Sequence, residues 1–287
     1  MTGGNWGLRE CTVRFGARAK LAALDGVSLA VPRGCVAAVV GGDGAGKTTL
    51  LRVLAGRVVP RPGRVDAPAR TAIGFMPSTS GVWSDLTVDE NVAFVGRAYG
   101  MERERLAARR RALLERAGLL DAADRLGGRL SGGMRQKLGF CLAMLHEPEL
   151  VILDEPSTGV DPVSRVELWR MIAGAAAAGK AVLMATTYQD EAERASSVLV
   201  LDRGHALYSG EPPAITAAVT GTIVRLPATE EGAAAGTPSD GRVWRRGRER
   251  HAWSPGSAPD GAGTPLAPDL EDAVIALTLA HRMVAGE

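Results

Sequence analysis

One stretch of the chain has the residue types and spacing for phosphate chemistry: Gly41-Gly42-Asp43-Gly44-Ala45-Gly46-Lys47-Thr48. It fits the pattern G-x-x-x-x-G-K-[ST], in which glycines let backbone N–H groups curl around a phosphate with no side chain in the way. Lys47 has the reach to meet β- and γ-phosphates, Thr48 offers a hydroxyl to Mg²⁺, and Thr49 continues into the helix that follows. A second group, Asp154-Glu155, closes the apolar run Leu150-Val151-Ile152-Leu153, 107 residues after Lys47 (154 − 47). A carboxylate at such a strand end, Asp154, is suited to direct Mg²⁺, and Glu155 beside it to polarise an attacking water as a general base. These residues predict a nucleoside triphosphate site.

The elements that must hold these residues can be read around them. Cys35-Val36-Ala37-Ala38-Val39-Val40 has the continuous apolar character of a buried parallel strand, and Thr49 to Ala55 is apolar at helical spacing. Strand, glycine loop and helix place the loop amides at a helix N-terminus, where the partial positive charge favours an anion. Residues 8–15 and 26–31 read as strands, Pro60 to Pro68 as turns, and Thr71 to Met76 as a strand closed by Pro77. Thr87-Val88-Asp89-Glu90 is a capping box opening a helix to Tyr99, and a second helix runs from Glu102 to Ala117. Within it, Arg109-Arg110-Arg111 reads as a solvated face, with a basic binding patch as the alternative. Ser131 is the expected N-cap of a helix, and Asp161-Pro162 the N-cap and first position of another, reaching Ala178. Ala181 to Thr186 is a strand, a helix follows from Tyr188, and Val198–Leu201 and His205–Ser209 form a hairpin around Asp202-Arg203-Gly204. Alternating strands and helices imply a mostly parallel sheet with helices on its faces.

Composition narrows the classes. At 287 residues the chain can bury a full core with room for an appendage. A formal net charge of +2 gives no bulk electrostatic case for nucleic acid. Cys11, Cys35 and Cys141 are too few for a disulfide framework and read as buried thiols. Met1 to Arg14 lacks the apolar core of a signal peptide, and no run approaches the length of a membrane span. His146 and His205 have no metal-ligand partner at useful spacing and read as structural or solvated.

The stretch Leu130-Ser131-Gly132-Gly133-Met134-Arg135-Gln136 resembles the L-S-G-G-Q signature of ABC-type ATPases. The order of phosphate loop, signature and strand-end Asp-Glu is particular to that family, and the resemblance covers residues 8–220 or so. It implies an α/β P-loop NTPase fold of ABC type, with a mostly parallel sheet core, an antiparallel β part and a helical subdomain at about 78–145. It also implies ATP and Mg²⁺ as ligands, and two cassettes stacked head to tail with each ATP between one phosphate loop and the opposing signature. Ser131 and the amides of Gly132 and Gly133, at a helix N-terminus, are suited to cradle that second set of phosphate contacts. Phe15 matches the aromatic that stacks on adenine, with a place in the core as the alternative, and Asp161 matches the residue that links the two sites.

Within the family the resemblance is to ATP-binding subunits of drug and antibiotic exporters, through Met134–Leu138, Tyr188–Arg194 and Leu270-Glu271-Asp272. The 84 residues from Lys47 to Ser131 (131 − 47) hold a transporter's helical subdomain but no coiled-coil arm. Three positions depart from the pattern: Ser78 stands where the family has glutamine, Thr187 where it has histidine, and Asp43 where asparagine is common. Together these resemble the first cassette of tandem-cassette exporters related to the ribosome-bound ATPase, and imply a site that binds ATP but turns over slowly. The expected partners are an integral-membrane permease chain and a second ABC ATPase chain, with no direct contact to nucleic acid. The expected place is the cytoplasm, peripheral on the inner face of the membrane. The alternative is a soluble ABC-type ATPase switch acting on the ribosome or another assembly. Val82, Trp83, Val92 and Phe94 are expected either to line a groove for a membrane-chain helix or to fill the subdomain core. The expected organisation is a nucleotide-binding domain over 1–220, a linker or small variable region over 221–268, and an amphipathic helix over 269–287.

Overall fold

The computed structural model describes residues 5–16, 22–226, 242–257, 263–284 and 286. In chain order the elements are β1 (Trp6–Val13), β2 (Leu24–Val31), β3 (Val36–Val40), α1 (Lys47–Leu54), β4 (Arg64–Asp66), β5 (Ile73–Met76), α2 (Val88–Ala98), α3 (Arg103–Ala117), α4 (Gly132–Met144), β6 (Leu150–Asp154) and α5 (Pro162–Ala177). There follow β7 (Ala181–Ala185), α6 (Gln189–Ala192), β8 (Ser197–Asp202), β9 (His205–Gly210), α7 (Pro212–Ala217), β10 (Thr222–Leu226), β11 (Val243–Arg246), β12 (Glu249–Ser254), β13 (Thr264–Pro265) and α8 (Leu270–Val284). The chain divides into two compact units, Met1–Ala206 and Leu207–Glu287.

The first unit is built on the strands β5, β6, β7, β3 and β8, which lie in that order in one sheet and pair in parallel. Every residue of β3, β6 and β7 is buried, as continuous apolar runs require when helices or a second sheet cover both faces. Ala37, Val39, Ile152, Leu183 and Leu199 share one core with Leu50, Leu51 and Leu54 of α1 and with Leu8, Val27 and Leu29 of the first two strands. Helix α4 packs against β5, and α5 against β7 and β3. The fold is the α/β P-loop arrangement expected, with its antiparallel part formed by a second sheet ordered β2-β1-β4. Strand β4 lies inside the stretch expected to be turns; at three residues it is too short to show a period, and only its pairing with Gly7–Arg9 defines it.

Local signals account for the starts of α2, α4 and α5. Thr87 Oγ1 accepts from the Glu90 N–H at 3.1 Å while a Glu90 carboxylate oxygen accepts from the Thr87 N–H at 2.8 Å, the reciprocal capping box. Asp161 caps α5 through the N–H groups of Val163 and Ser164 at 3.1 and 3.0 Å, with Pro162 at the first helical position. The helix expected from Tyr188 is only the short α6. Of the Arg109–Arg111 run, expected as a solvated face, Arg111 is exposed, but Arg109 and Arg110 are tied into the fold. Arg109 donates to the Met144 carbonyl at 2.8 Å at the end of α4, and Arg110 holds Asp89 at 2.7 and 2.6 Å. His146 stacks on Tyr99 with ring centroids 3.7 Å apart and its Nε2 lies 3.2 Å from the Ile73 carbonyl, a structural role. Cys11 and Cys141 are buried free thiols, and Cys35 is half-buried.

The second unit contains a sheet ordered β11-β12-β10-β13, antiparallel where strands pair, and the helices α7 and α8. Ile223 and Trp253 pack with Ala276 and Leu279 of α8 on one face, and Val224, Leu226, Ala252 and Val243 form a cluster on the other. Of the region expected as a linker or small variable region, the stretches 227–241 and 258–262 lie outside the described residues. Among the described residues, no helix is long and apolar enough to cross a membrane.

Candidate active site

The phosphate loop leaves the C-terminal end of β3 and enters α1. Its conformation explains two of its glycines. Gly41 has φ 154°, and a Cβ there would lie 2.2 Å from the Leu201 carbonyl oxygen; Gly46 has φ 108°, and a Cβ there would lie 2.5 Å from that of Ala23. No side chain with a Cβ fits either position without moving backbone. The loop is braced by Ala45, whose N–H donates to the Gly42 carbonyl at 3.2 Å and whose carbonyl accepts from the Gly204 N–H at 2.8 Å. Gly42, Asp43 and Gly44 are exposed at its tip. Helix α1 opens on Gly46 with no side-chain cap and no acidic residue in its first turn. The first amides, Lys47, Thr48 and Thr49 included, therefore have no side-chain acceptor and present donors to an anion.

Around this opening the structure gathers the chemistry-bearing side chains. Lys47, 6% exposed, donates from Nζ to the Gly41 and Gly42 carbonyls at 2.8 and 3.2 Å and lies 3.7 Å from a Glu155 carboxylate oxygen. Thr48 Oγ1 donates to the Asp154 carboxylate, 3.1 and 3.3 Å from its two oxygens. Burial pushes the Asp154 carboxyl above its ordinary range, the Thr48 hydroxyl pulls it back in part, and the neighbouring Glu155 charge pushes it further up. A buried carboxylate beside a hydroxyl is a set of hard oxygen donors suited to Mg²⁺, so the residues present fit the ion that the fold implies. Glu155 sits at φ 51°, a left-handed conformation unusual for glutamate, held by its N–H donating to the Ala185 carbonyl at 2.9 Å and by Thr158 Oγ1 3.3 Å from its carboxylate.

A second cluster forms where α4 and α5 begin. Ser131 Oγ accepts from the Met134 N–H at 3.2 Å, capping α4. A Cβ on Gly132 would lie 2.9 Å from the Gly159 carbonyl oxygen, and one on Gly133 would lie 2.3 Å from Ser164 Oγ and 3.3 Å from Asp161 Oδ2. The signature and Asp161 are thus packed together at two helix N-termini. Gly132 is required by the close approach of the Gly159 carbonyl and Gly133 by that of Ser164 in α5. Hydrogen bonds from the Ser164 N–H first, then from the Ser164 hydroxyl and the Val163 N–H, hold the Asp161 carboxyl below the usual range.

Phe15 is 58% exposed, just past the end of β1, so its alternative place in the core does not hold. Ser78 and Thr187 are both exposed. Of the four apolar residues weighed for membrane coupling, Val92 is buried and Val82 is half-buried, while Trp83 and Phe94 are exposed and meet edge to face with centroids 4.5 Å apart. Sequence reasoning missed the network behind Thr187. Thr186 Oγ1 donates to buried Glu191 at 2.6 Å and accepts from the Tyr188 N–H at 3.0 Å, and Arg165 holds Asp190 at 2.7 Å while lying 4.0 Å over the Tyr188 ring. The available signal was Arg165 four residues after the Asp161 cap, on the turn of α5 next to it, but its partner lies 25 residues on.

Comparison with known proteins agrees with this geometry. The family model described as ABC transporter matches residues 24–158. The chain is 42% identical over 212 residues to "Probable multidrug ABC transporter ATP-binding protein YbhF" of Escherichia coli, a match covering 69% of this chain and 36% of that protein. It is 34% identical over 221 residues to the daunorubicin resistance ATP-binding protein DrrA3 of Streptomyces coeruleorubidus, covering 73% of this chain and 70% of that one. A solved structure described as the ATP binding subunit of an ABC transporter superposes with a TM-score of 0.67 at 27% identity, covering 75% of this chain and 92% of that one. The chain therefore spans little more than a third of the length of YbhF.

Proposed function

We propose a function from one premise: this chain belongs to the family of ABC transporter ATP-binding subunits. In this reading it is the ATP-binding and hydrolysing subunit of an exporter, docked at the cytoplasmic face of a membrane on a separate permease chain and paired with a second ATPase chain. The observation that carries it is the convergence of Lys47, Thr48, Asp154 and Glu155 on the uncapped start of α1. Lys47 and the amides of Gly44 to Thr49 hold the β- and γ-phosphates, Thr48 and Asp154 hold Mg²⁺, and Phe15 stacks on adenine. When bound, Mg²⁺ neutralises charge that develops on the phosphates. Glu155 accepts the proton of the attacking water, and its fixed, left-handed backbone holds the carboxylate in place. Lys47, freed from the Gly41 and Gly42 carbonyls, turns its ammonium to the γ-phosphate.

Ser131, Gly132 and Gly133 face the phosphates of the partner's nucleotide, with Asp161 joining the two sites through the packed starts of α4 and α5. The exposed Trp83–Phe94 pair is where the permease helix seats. The names of two relatives, one a probable multidrug transporter protein and one a daunorubicin resistance protein, support drugs as the cargo class and export as the direction. Ser78 and Thr187 are too short to reach water and γ-phosphate as glutamine and histidine do, so the chain's own site is the slow one and the partner's site the fast one.

The test is made in the assembled transporter. Losing a catalytic or phosphate-binding group costs roughly 10²–10⁴-fold at a fast site, so Ser131→Ala should cut ATP turnover strongly and Glu155→Gln only slightly. The reverse order, or brisk hydrolysis by this chain alone as a homodimer, would overturn the asymmetric pairing.

A further inference from the structure

The hairpin β11–β12 separates its arginines by chemistry. Alternation turns Trp244, Arg246, Glu249 and His251 towards α8, where Trp244 Nε1 donates to Asp272 at 3.1 Å and His251 Nδ1 lies 2.9 Å from the same carboxylate. On that face Arg246 and Arg225 have counter-charges, and Arg242 donates to the Met283 sulfur at 3.5 Å. Arg246 pairs with Asp269, with Glu271 at 3.3 Å and with Asp272 at 3.4 Å, and Arg225 of β10 pairs with Glu249 at 3.0 Å. The opposite face carries Val243, Arg245, Arg250 and Ala252. There Arg245 and Arg250 stand directly opposed in the antiparallel register, with Arg248 at the turn beside them. Among the described residues, none of these three has a hydrogen bond or ion pair to a carboxylate; Arg245 and Arg248 are exposed and Arg250 half-buried.

Like charges directly opposed across two strands weaken their pairing, so this arrangement works against the hairpin it sits on. An external anion supplies the missing counter-charge. Guanidinium forks match phosphate oxygens in pairs, and three of them on one exposed hairpin end suit an array of phosphates. We propose that Arg245, Arg248 and Arg250 dock the second unit on the phosphate headgroups of an anionic lipid surface. The choice of a bilayer as the source of phosphate rests on the functional reading above, which sets the chain against a membrane; the charge pattern does not.

The experiment is co-sedimentation of the full chain with vesicles of phosphatidylcholine alone or mixed with phosphatidylglycerol, at low and physiological salt. Binding is expected only with phosphatidylglycerol and should weaken with salt. Each arginine near such a surface strengthens binding about fivefold, so Arg245→Gln, Arg248→Gln and Arg250→Gln together should lower partitioning on the order of 100-fold. Three Arg→Lys changes should keep most of it. Arg245→Glu places opposite charges across the strands, and should raise the melting temperature of the chain while lowering vesicle binding. Equal binding to both vesicle types, or binding unmoved by the triple glutamine variant, overturns the proposal. So does single-stranded RNA binding that the triple variant abolishes while vesicle binding stays. MgATP affinity, measured on the same variants, is expected to be unchanged and reports separately on the functional reading.

Discussion

At the scale of the residue, burial sets the chemistry of His146. Desolvation lowers its pKa below the ordinary 6.5, the Ile73 carbonyl opposing that shift and Arg105 and Arg109 adding to it. A histidine held neutral contributes stability that is present above its unfolded pKa and is lost as pH falls through and below that value. Thermal melts between about pH 8 and pH 5 should therefore show a drop on acidification, and His146→Phe, which keeps the stack on Tyr99, should shrink it. An identical drop in the variant would assign it to other groups. The residues of the phosphate loop and the Asp154-Glu155 pair were legible in the sequence because their chemistry fixes both type and spacing within a few positions. The Thr186–Glu191–Arg165 network was not, because it joins residues from two elements by side-chain contacts that no periodicity encodes.

At the scale of the element, caps were legible and contacts between elements were not. Thr87, Ser131 and Asp161 each cap a helix as their local sequence predicts. Asn91 shows the limit. It is fully buried in α2, where its Oδ1 accepts from the Trp83 N–H at 2.9 Å and its Nδ2 is 3.1, 3.1 and 2.8 Å from the carbonyl oxygens of Trp83, Leu86 and Thr87. Read from sequence it is an unremarked polar residue in a helix; in the fold it ties the loop before α2 to the helix itself. Asn91→Ala leaves the Trp83 N–H without its acceptor, while the three carbonyls keep backbone donors from Leu86, Gly127 and residue 91 itself, and should cost about 2 kcal/mol, measured by denaturant unfolding. A loss of under about 1 kcal/mol would show that water replaces the side chain. Strands β4 and β13 are of the same kind: three and two residues long, they exist only through their partners.

At the scale of the whole molecule, the parallel core was legible because its strands are continuous apolar runs, and the second unit was not, because its strands carry arginine, histidine and tryptophan among glycine-rich turns. Every residue assigned to nucleotide chemistry lies in the first unit, Met1–Ala206. A chain ending at Gly221, before β10, should therefore bind MgATP within about threefold of the full chain, as an independent domain does. A soluble truncated chain that no longer binds would make the second unit part of the site. The central claim is that the uncapped start of α1, with Lys47, forms the nucleotide site. Calorimetric titration of MgATP into the full chain and into Lys47→Ala tests it most directly. Removing the one side-chain ammonium that the described residues bring to the phosphate loop should weaken binding on the order of 100-fold, with the fold intact by circular dichroism. Equal affinity in the two proteins would contradict the claim.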